Sequence, residues 1–329
     1  MTHRIGTLPR FAAATPLLIA LAASAARQYR EVDVAAAVGP SFLPRAINDE
    51  GVVVLFGFVE GQRMSKLYDI GRGEVVRVLP DDQVAAISNS GDIVGIGSTG
   101  AWFESGGVRT SIPLQRPLSV NDKGQVAGFA GGFFPRGAVY SVPDGTLTPL
   151  SLGGNQSTAT AINASGRVAG TGTLPGTQTL HAFAWDGSTI QDLGTLGGDG
   201  NSSAAAINGR GDIAGSASIS STQAHAFVFD GETMHDLGTL PGCDRSNAAA
   251  INDAGTAVGS VDLCADGSSH AVLFSKNAGL VDINTVAPAS DGFTYSNAIG
   301  INNAGIIVGI AVGPDGFTTR AFLLVRDDG

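Results

Sequence analysis

Lysine, aromatic residues and charge are scarce in this sequence. Lysine occurs three times in 329 residues, at Lys66, Lys123 and Lys276, and the formal net charge is −10. An acidic chain without a basic patch repels phosphate backbones, so we predict that it does not bind nucleic acid. The charged fraction of 15% together with 47 glycines is typical of a turn-rich β protein rather than a helical one.

Known catalytic and cofactor motifs are also missing. The sequence has no metalloprotease helix, phosphate loop, serine elbow or EF-hand loop. Residues 95–100 read GIGSTG, which matches the dinucleotide fingerprint, but they lie between two predicted strands with no helix to receive a phosphate. We therefore predict no catalytic residues, no metal site and no cofactor, and we favour a non-enzymatic role.

The first 26 residues differ from the rest. Arg4 and Arg10 precede an apolar stretch over residues 11–23, and small residues follow it. This order predicts a secretory signal peptide over residues 1–26, cleaved after Ala25 or Ala26, and a single domain over residues 27–329. The alternative is a retained membrane anchor, although the stretch is short for a transmembrane helix. We expect a secreted or periplasmic protein with no transmembrane segment after signal cleavage.

A motif of the form Ala-Ile-Asn-x-x-Gly, followed by a short apolar run, recurs seven times. Its copies are spaced at intervals of 33 to 50 residues. That period, with one supersecondary unit per repeat, indicates a propeller or a similar array. We number the repeats 1 to 7 by the third residue of the motif, which is in turn Asn48, Ser88, Asn121, Asn163, Asn208, Asn252 and Asn302.

Four strands are predicted in each repeat. In repeat 5 they cover residues 204–208, 211–217, 225–230 and 233–240, named a to d outward from the axis. Asn-x-x-Gly turns join a to b, and Asp-Gly turns such as Asp186-Gly187 join c to d, so consecutive strands are antiparallel. Repeat 7 has no d strand, but residues 31–34, before the first motif, resemble one. The sequence thus predicts an all-β fold, a seven-bladed β-propeller with four antiparallel strands per blade, whose last blade is closed by the N-terminal strand.

The two cysteines, Cys243 and Cys264, flank the inner hairpin of repeat 6. Because the turn is centred between Asp253 and Ala254, the two positions face each other across the hairpin. An even cysteine count in a secreted chain favours a disulfide. The alternative is a pair of surface thiols.

Three histidines, His181, His225 and His270, occupy one equivalent position at the start of strand c. Strand c lies roughly 10 Å outside strand a, so these side chains cannot converge on one metal ion. We expect them to make structural hydrogen bonds between blades.

The d-to-a and b-to-c connections emerge on one face and are the least uniform parts of the repeat. Variable loops on a rigid scaffold are where binding residues concentrate. The alternative is that these loops are polar only because they are solvated. The candidate ligand-binding residues in these connections are Asn155, Gln156, Asp199, Asn201, Asp244, Arg245, Asp291 and Tyr295.

The segments HAFAWDGSTIQDLGTLGG and HAFVFDGETMHDLGTLPG, each followed by AAAIN, closely resemble the HAF repeat family of extracellular bacterial proteins. The resemblance is strong from Leu150 to Val261, and it weakens on both sides, where residues 101–103 and 320–322 replace the motif. It implies export and a repeated β architecture, and it carries over no catalytic residue.

These observations favour a non-catalytic repeat protein that binds a protein or a glycan through loops on one face of the propeller. The alternative is a glycan hydrolase or lyase with its site at the mouth of the central channel. A third reading is a purely structural role in the envelope. We expect the protein to be a monomer.

Overall fold

Antiparallel hairpins follow one another along the chain. The computed structural model describes residues 29–132, 134–197, 200–275 and 279–326. The strands up to the end of repeat 3 are β1 Tyr29–Glu31, β2 Leu43–Ile47, β3 Val52–Val59, β4 Gln62–Asp69, β5 Glu74–Pro80, β6 Gln83–Ile87, β7 Ile93–Gly97, β8 Gly100–Ser105, β9 Val108–Ser111, β10 Arg116–Val120, β11 Gln125–Ala130, β12 Arg136–Ser141 and β13 Thr146–Leu150.

The second half of the chain continues the same pattern. Its strands are β14 Ser157–Ile162, β15 Val168–Thr173, β16 Leu180–Trp185, β17 Ile190–Asp192, β18 Ser202–Ile207, β19 Ile213–Ser218, β20 Ala224–Phe229, β21 Met234–Asp236, β22 Cys243–Ile251, β23 Ala257–Cys264, β24 His270–Ser275, β25 Gly279–Asp282, β26 Thr294–Ile301, β27 Ile307–Val312 and β28 Thr319–Arg326. Two four-residue helices, α1 Ala35–Val38 and α2 Ile283–Val286, lie between strands.

The strands form six hydrogen-bonded sheets. Five sheets have four strands each, in the orders β2-β3-β4-β5, β6-β7-β8-β9, β10-β11-β12-β13, β14-β15-β16-β17 and β1-β28-β27-β26. The sixth sheet has eight strands, β18 to β25, because a parallel bridge between Ala224 and Arg245 joins repeats 5 and 6. The all-β prediction is confirmed. The prediction of seven separate four-stranded blades is wrong, since the hydrogen bonds leave five four-stranded sheets and one double sheet.

The double sheet arises from an inner strand that begins early. β22 has nine residues, whereas the inner strands β14 and β18 have six each. The additional residues at its start, Cys243 to Arg245, reach β20 of the preceding repeat. The predicted strand a starts at the Ala-rich segment and does not include this extension.

The N-terminal strand lies on the outer edge of the last repeat. β1 pairs antiparallel with β28, with Tyr29 opposite Arg326 and Glu31 opposite Leu324. Glu31 forms an ion pair with Arg320 and accepts a hydrogen bond of 2.8 Å from the Tyr295 hydroxyl. The strand was expected at residues 31–34 and is found two residues earlier, where it covers the edge that β28 would otherwise expose.

Glycines on strand b make room for a phenylalanine on strand c. Phe183, Phe227 and Phe322 are at most 1% exposed. A Cβ atom added to Gly170 would lie 2.3 Å from the Phe183 ring, and one added to Gly309 would lie 2.4 Å from the Phe322 ring. Protein interiors have no room for such an overlap, so the phenylalanine of the HAF segment and the glycine of the preceding strand are packing partners.

The two helices are too short to cross a membrane, and in residues 29–132, 134–197, 200–275 and 279–326 no helix has the length and apolar character that a membrane span requires. The predicted signal peptide, residues 1–26, lies outside the described residues.

Candidate binding site

The motif asparagines hold neighbouring repeats together at one end of the ring. We call this the turn end, because it contains the inner a-to-b turns that follow Asn48, Ser88, Asn121, Asn163, Asn208, Asn252 and Asn302. The Nδ2 atom of each of the six asparagines donates to the backbone carbonyl at the motif position of the next repeat, at 2.9 to 3.2 Å. Asn302 donates to the carbonyl of Asn48, which closes the ring.

The same side chains also fix their own turns. In each case Oδ1 accepts a hydrogen bond of 2.8 to 3.0 Å from the backbone N–H four residues later. Each asparagine is at most 6% exposed. The contact with the turn was predicted from the Asn-x-x-Gly spacing, whereas the link to the next repeat depends on the ring and was not predicted.

Repeat 2 has serine at this position. Ser88 Oγ accepts a hydrogen bond of 3.2 Å from the Asp92 backbone N–H, which fixes the local turn. A hydroxyl is too short to reach the next repeat, and in the described residues the contact from repeat 2 to repeat 3 runs instead from the Ser90 N–H to Asp122, at 2.8 Å. The chain of asparagine links is therefore interrupted at Ser88.

A second layer of carboxylates and amides surrounds the opening at the turn end. Asp49 accepts hydrogen bonds from the Asn303 N–H at 2.8 Å and from the Asn89 side chain at 2.8 Å. Asp253 accepts one of 2.6 Å from the Gly209 N–H. The opening has a volume of about 270 Å³. Within the described part of the chain, no group of three His, Cys, Asp or Glu side chains is arranged to hold a metal ion.

The three equivalent histidines pair with aspartates of their own repeats. His181 Nδ1 lies 2.8 Å from Asp192, and His225 Nδ1 lies 2.9 Å from Asp236. His270 Nδ1 lies 2.7 Å from Asp282. The expectation of hydrogen bonds between blades is wrong, because each pair joins strand c to strand d within one repeat.

A buried serine links two of these pairs, His181–Asp192 and His225–Asp236, to the next repeat. Asp236 accepts a hydrogen bond of 2.8 Å from the Gly238 N–H, and the carbonyl of Gly238 accepts one from Ser246 Oγ. Ser246 Oγ in turn accepts a hydrogen bond of 2.8 Å from the Ala226 N–H. Ser202 makes the same two contacts, with Gly194 and Ala182. The HAF and DLG segments of the repeat are therefore structural.

Charged residues replace this arrangement in repeat 2. Glu104 is 3% exposed and pairs with Arg77 at 2.6 Å and with Arg109 at 3.2 Å. The hydrogen bond from Arg77 is the main cause that lowers the pKa of Glu104. Arg109 also pairs with Asp82 at 2.8 Å and lies over the Trp102 ring at 3.9 Å. This cluster connects strands c and d of repeat 2 to neighbouring segments without a histidine.

The opposite end of the ring, which we call the loop end, carries the d-to-a and b-to-c connections and contains two clefts. The first, named here the serine cleft, has a volume of about 450 Å³ and extends over repeats 4 to 6. Twelve of its 17 lining residues have hydroxyl or amide side chains. Those twelve are Thr171, Asn201, Ser202, Ser203, Ser216, Ser218, Ser220, Ser221, Thr222, Gln223, Ser246 and Asn247.

The second, named the rim cleft, has a volume of about 630 Å³ and lies between repeats 6 and 7. Asp262 lines both clefts, so they are adjacent. The rim cleft is lined by Ser260, Asp262, Gly267, Ser268, Ser269, Thr294, Ser296, Asn297, Ile310, Val312, Gly313 and Gly316. The Oδ1 atom of Asn297 is buried and has no hydrogen-bond partner among the described residues.

Three of the predicted ligand-binding residues lie at the serine cleft. Asn201 and Arg245 line it, and Asp244 accepts a hydrogen bond of 3.4 Å from Gln223, another lining residue. Asn201 also accepts a hydrogen bond of 2.9 Å from the Leu180 N–H, so it shapes the cleft as well.

The other candidates are dispersed. Asn155 and Gln156 both contact Thr173, at 3.2 Å and 3.1 Å, beside the inner strand of repeat 4. Asp291 pairs with Arg320 at 2.9 Å. Tyr295 is 1% exposed, and burial is the main cause that raises its pKa, so its side chain faces the core rather than the loop surface. Asp199 lies outside the described residues.

The cysteines form the predicted disulfide. Cys243 and Cys264 are bonded and lie opposite each other in the β22–β23 pair. The bridge fixes the extension of β22 that carries Asp244 and Arg245, so it supports one wall of the serine cleft.

Most of the residues that line the clefts were not predicted from the sequence. The b-to-c segment Ser220-Ser221-Thr222-Gln223 and the inner-strand residues Asn247 and Asn297 were not among its candidates. A signal existed, since both asparagines stand five residues before a motif asparagine. Their position at the loop-end clefts depends on the sheet arrangement, which a single repeat does not reveal.

Comparisons with known proteins agree on the fold. The β-propeller domain of the Trilobed protease from Pyrococcus furiosus matches with a TM-score of 0.61 at 12% identity, over 88% of this chain and 94% of that chain. The chain is a β-propeller. An oligogalacturonate lyase from Vibrio parahaemolyticus matches this propeller with a TM-score of 0.60 at 11% identity, over 88% of this chain and 90% of that chain. Likenesses at such low identity show the fold alone. No family model and no curated protein matches the chain.

Proposed function

We propose that this propeller is a secreted or periplasmic protein that binds a neutral glycan, without catalysis, through the serine cleft. The observation that carries the proposal is the lining of the cleft, which is concave and dominated by uncharged hydroxyl and amide groups. Such groups both donate and accept hydrogen bonds, and a sugar presents the same two capacities on every hydroxyl.

A protein partner fits this cleft less well than a glycan. Stable protein interfaces are centred on buried aromatic or aliphatic anchors in well-packed pockets. The 17 described residues that line the serine cleft include no aromatic side chain. A ligand that binds through many polar contacts and bridging water is better matched to this surface.

Catalysis at the channel mouth is the alternative expectation, but the carboxylates at the serine cleft are engaged in hydrogen bonds with neighbouring side chains. Glycoside hydrolysis uses two carboxyl groups that flank the scissile bond. At the serine cleft, Asp262 accepts a hydrogen bond from Ser260, and Asp244 accepts one from Gln223. The equivalent histidines are held by aspartates of their own repeats. The likeness to an oligogalacturonate lyase concerns the fold and names no residue of this chain.

Export is supported by the disulfide. Disulfides persist in oxidising compartments such as the periplasm or the extracellular space. The Cys243–Cys264 bridge is therefore consistent with the signal peptide predicted over residues 1–26.

A binding screen with a matched pair of variants tests the proposal. The purified protein is titrated with dextran, laminarin, xylan, galactan and polygalacturonate, and each mixture is assayed for reducing ends and for unsaturated products. We expect binding to at least one neutral glycan without product formation. Ser203→Trp fills the serine cleft and should abolish that binding, whereas Ala164→Trp, at an exposed position of the turn end, should leave it unchanged.

Three outcomes would contradict the proposal. They are product formation, equal binding by both variants, and binding to no glycan while a protein from the cell envelope is captured at the same cleft.

A further inference from the structure

The two clefts at the loop end are adjacent and share a lining residue. Asp262 lies in β23 and lines the serine cleft on one side and the rim cleft on the other. Both clefts are bordered by inner strands, β22 and β26, which carry equivalent asparagines. Asn247 lines the serine cleft and Asn297 lines the rim cleft, each five residues before a motif asparagine.

Asn297 has an unmet need for a hydrogen bond. Its Oδ1 atom is shielded from solvent and accepts no hydrogen bond from any described residue. A buried acceptor without a partner costs free energy, and the great majority of such atoms in folded proteins are paired. The atom therefore marks a place in the rim cleft where a ligand hydroxyl would bring a missing donor.

The neighbouring backbone has the same shape at both asparagines. A Cβ atom added to Gly259 would lie 1.8 Å from the backbone carbonyl oxygen of Asn247, and one added to Gly309 would lie 2.2 Å from that of Asn297. Glycine at these two positions lets the inner strand approach strand b closely. The same packing places both asparagines in corresponding positions, one at each cleft.

We infer that the serine cleft and the rim cleft form one extended site for a neutral oligosaccharide, in which Asn297 Oδ1 accepts a hydrogen bond from a hydroxyl of a distal sugar unit. The inference rests on the proposed function and adds a requirement for chain length. A monosaccharide or disaccharide occupies the serine cleft alone. A longer chain passes Asp262 and reaches Asn297.

The test uses a length series of the oligosaccharide that the binding screen selects, from one to six sugar units, titrated by calorimetry. We expect affinity to rise by about tenfold once the chain reaches the rim cleft, which corresponds to one further productive hydrogen bond. Asn297→Leu keeps a similar side-chain volume but removes the acceptor. It should cancel that rise and leave the affinity for the shortest ligands unchanged.

Asn247→Leu is the matched control, because it alters the equivalent position in the serine cleft. It should weaken the binding of short and long ligands alike. Thermal unfolding of Asn297→Leu is measured in parallel, and its midpoint should not fall, because the lost oxygen has no hydrogen-bond partner among the described residues.

The outcomes separate this inference from the proposed function. The extended site is overturned if affinity does not depend on ligand length, or if the Asn297→Leu variant binds long chains as tightly as the native protein. In either case the proposed function stands if Ser203→Trp still abolishes binding. Failure of every neutral glycan to bind overturns the proposed function and this inference together.

Discussion

The two ends of the ring use polar side chains in opposite ways. At the turn end, the amides of the six motif asparagines are satisfied within the protein, each by its own turn and by the next repeat. At the loop end, hydroxyl and amide side chains line two clefts, and one buried oxygen, on Asn297, has no partner in the described part of the chain.

The difference follows from repetition. A polar residue that recurs in every repeat can bond to its counterpart in the next one, and the ring then satisfies the whole set. A polar residue present in only some repeats has no such counterpart. We conclude that the repeated residues stabilise the propeller and that the unrepeated ones are available to a ligand. Substitutions at the two ends should therefore separate stability from binding.

Removal of the disulfide is expected to have the largest effect on stability. The bridge lies at the loop end, but its role is structural. Replacing Cys243 and Cys264 by serine should lower the free energy of unfolding by about 3 kcal/mol, because the bridge closes a loop with a separation of 21 residues. Urea unfolding under non-reducing conditions measures the change. Equal stability of the native protein and the double variant would show that the bridge is dispensable and that the β22 extension is held by other contacts.

Asn252→Ala should produce the next largest effect. It removes a bond to the Asn302 carbonyl at 3.2 Å and one from the Thr256 N–H at 3.0 Å. The Asn302 carbonyl keeps the hydrogen bond from the Gly305 N–H, whereas the half-buried Thr256 N–H loses its acceptor. We expect a loss of about 2 kcal/mol, with unchanged glycan affinity. Ser88→Ala serves as the control and should cost less, since the described contacts of the Ser88 side chain are all within repeat 2. If the folded Asn252→Ala variant bound the glycan more weakly than the native protein, the division of stability and binding between the two ends would be contradicted.

Glu104→Gln tests the charged cluster that replaces the histidine–aspartate pair in repeat 2. Arg77 lowers the pKa of Glu104 from its ordinary value of 4.5. The ionised carboxylate therefore stabilises the fold above pH 4.5, and this stabilisation is lost as the pH falls through the folded-state pKa. We expect the variant to be less stable by about 1.5 kcal/mol near neutral pH. The difference should shrink in acid, as thermal unfolding measured from pH 7 to pH 3 would show. A difference that does not depend on pH would mean that packing, not the charge, is what the variant removes.

Ser88→Asn is expected to give the smallest change in stability, and it should raise the free energy of unfolding. Asparagine at this position would supply the one link that the series lacks, from repeat 2 to the backbone carbonyl of Asn121. One added hydrogen bond is worth roughly 0.5 to 1 kcal/mol. A higher midpoint in thermal unfolding would support the conclusion that the motif asparagine links each repeat to the next. A lower midpoint would mean that the local contacts of Ser88 with Ser90 and Asp92 cannot be replaced.

Much of the fold could be predicted because its signals are local and repeated. The Asp186-Gly187 turn lies between strands β16 and β17 of an antiparallel pair, and the Cys243–Cys264 bridge follows from the centre of one hairpin. The division into sheets was mispredicted because it depends on how far β22 extends towards its neighbour, and no motif marks that extension.

The candidate site was harder to predict. Loop position led to Asn201, Asp244 and Arg245, which lie at the serine cleft, but it also suggested Tyr295, whose hydroxyl bonds to Glu31 from the other end of the chain. The sequence separation of 264 residues between these two partners shows why the burial of Tyr295 could not be inferred from its own repeat. Asn297 was missed because what distinguishes it is the absence of a partner among the described residues, which only the three-dimensional arrangement shows.

The separation of a structural turn end from a binding loop end is tested most directly by hydrogen–deuterium exchange, with and without the neutral oligosaccharide chosen by the binding screen. Backbone amides exchange more slowly where a ligand suppresses local opening. We predict slower exchange in residues 216–223 and 243–247 on ligand addition and no change in residues 48–52 or 252–256. Protection confined to the turn end would contradict the account.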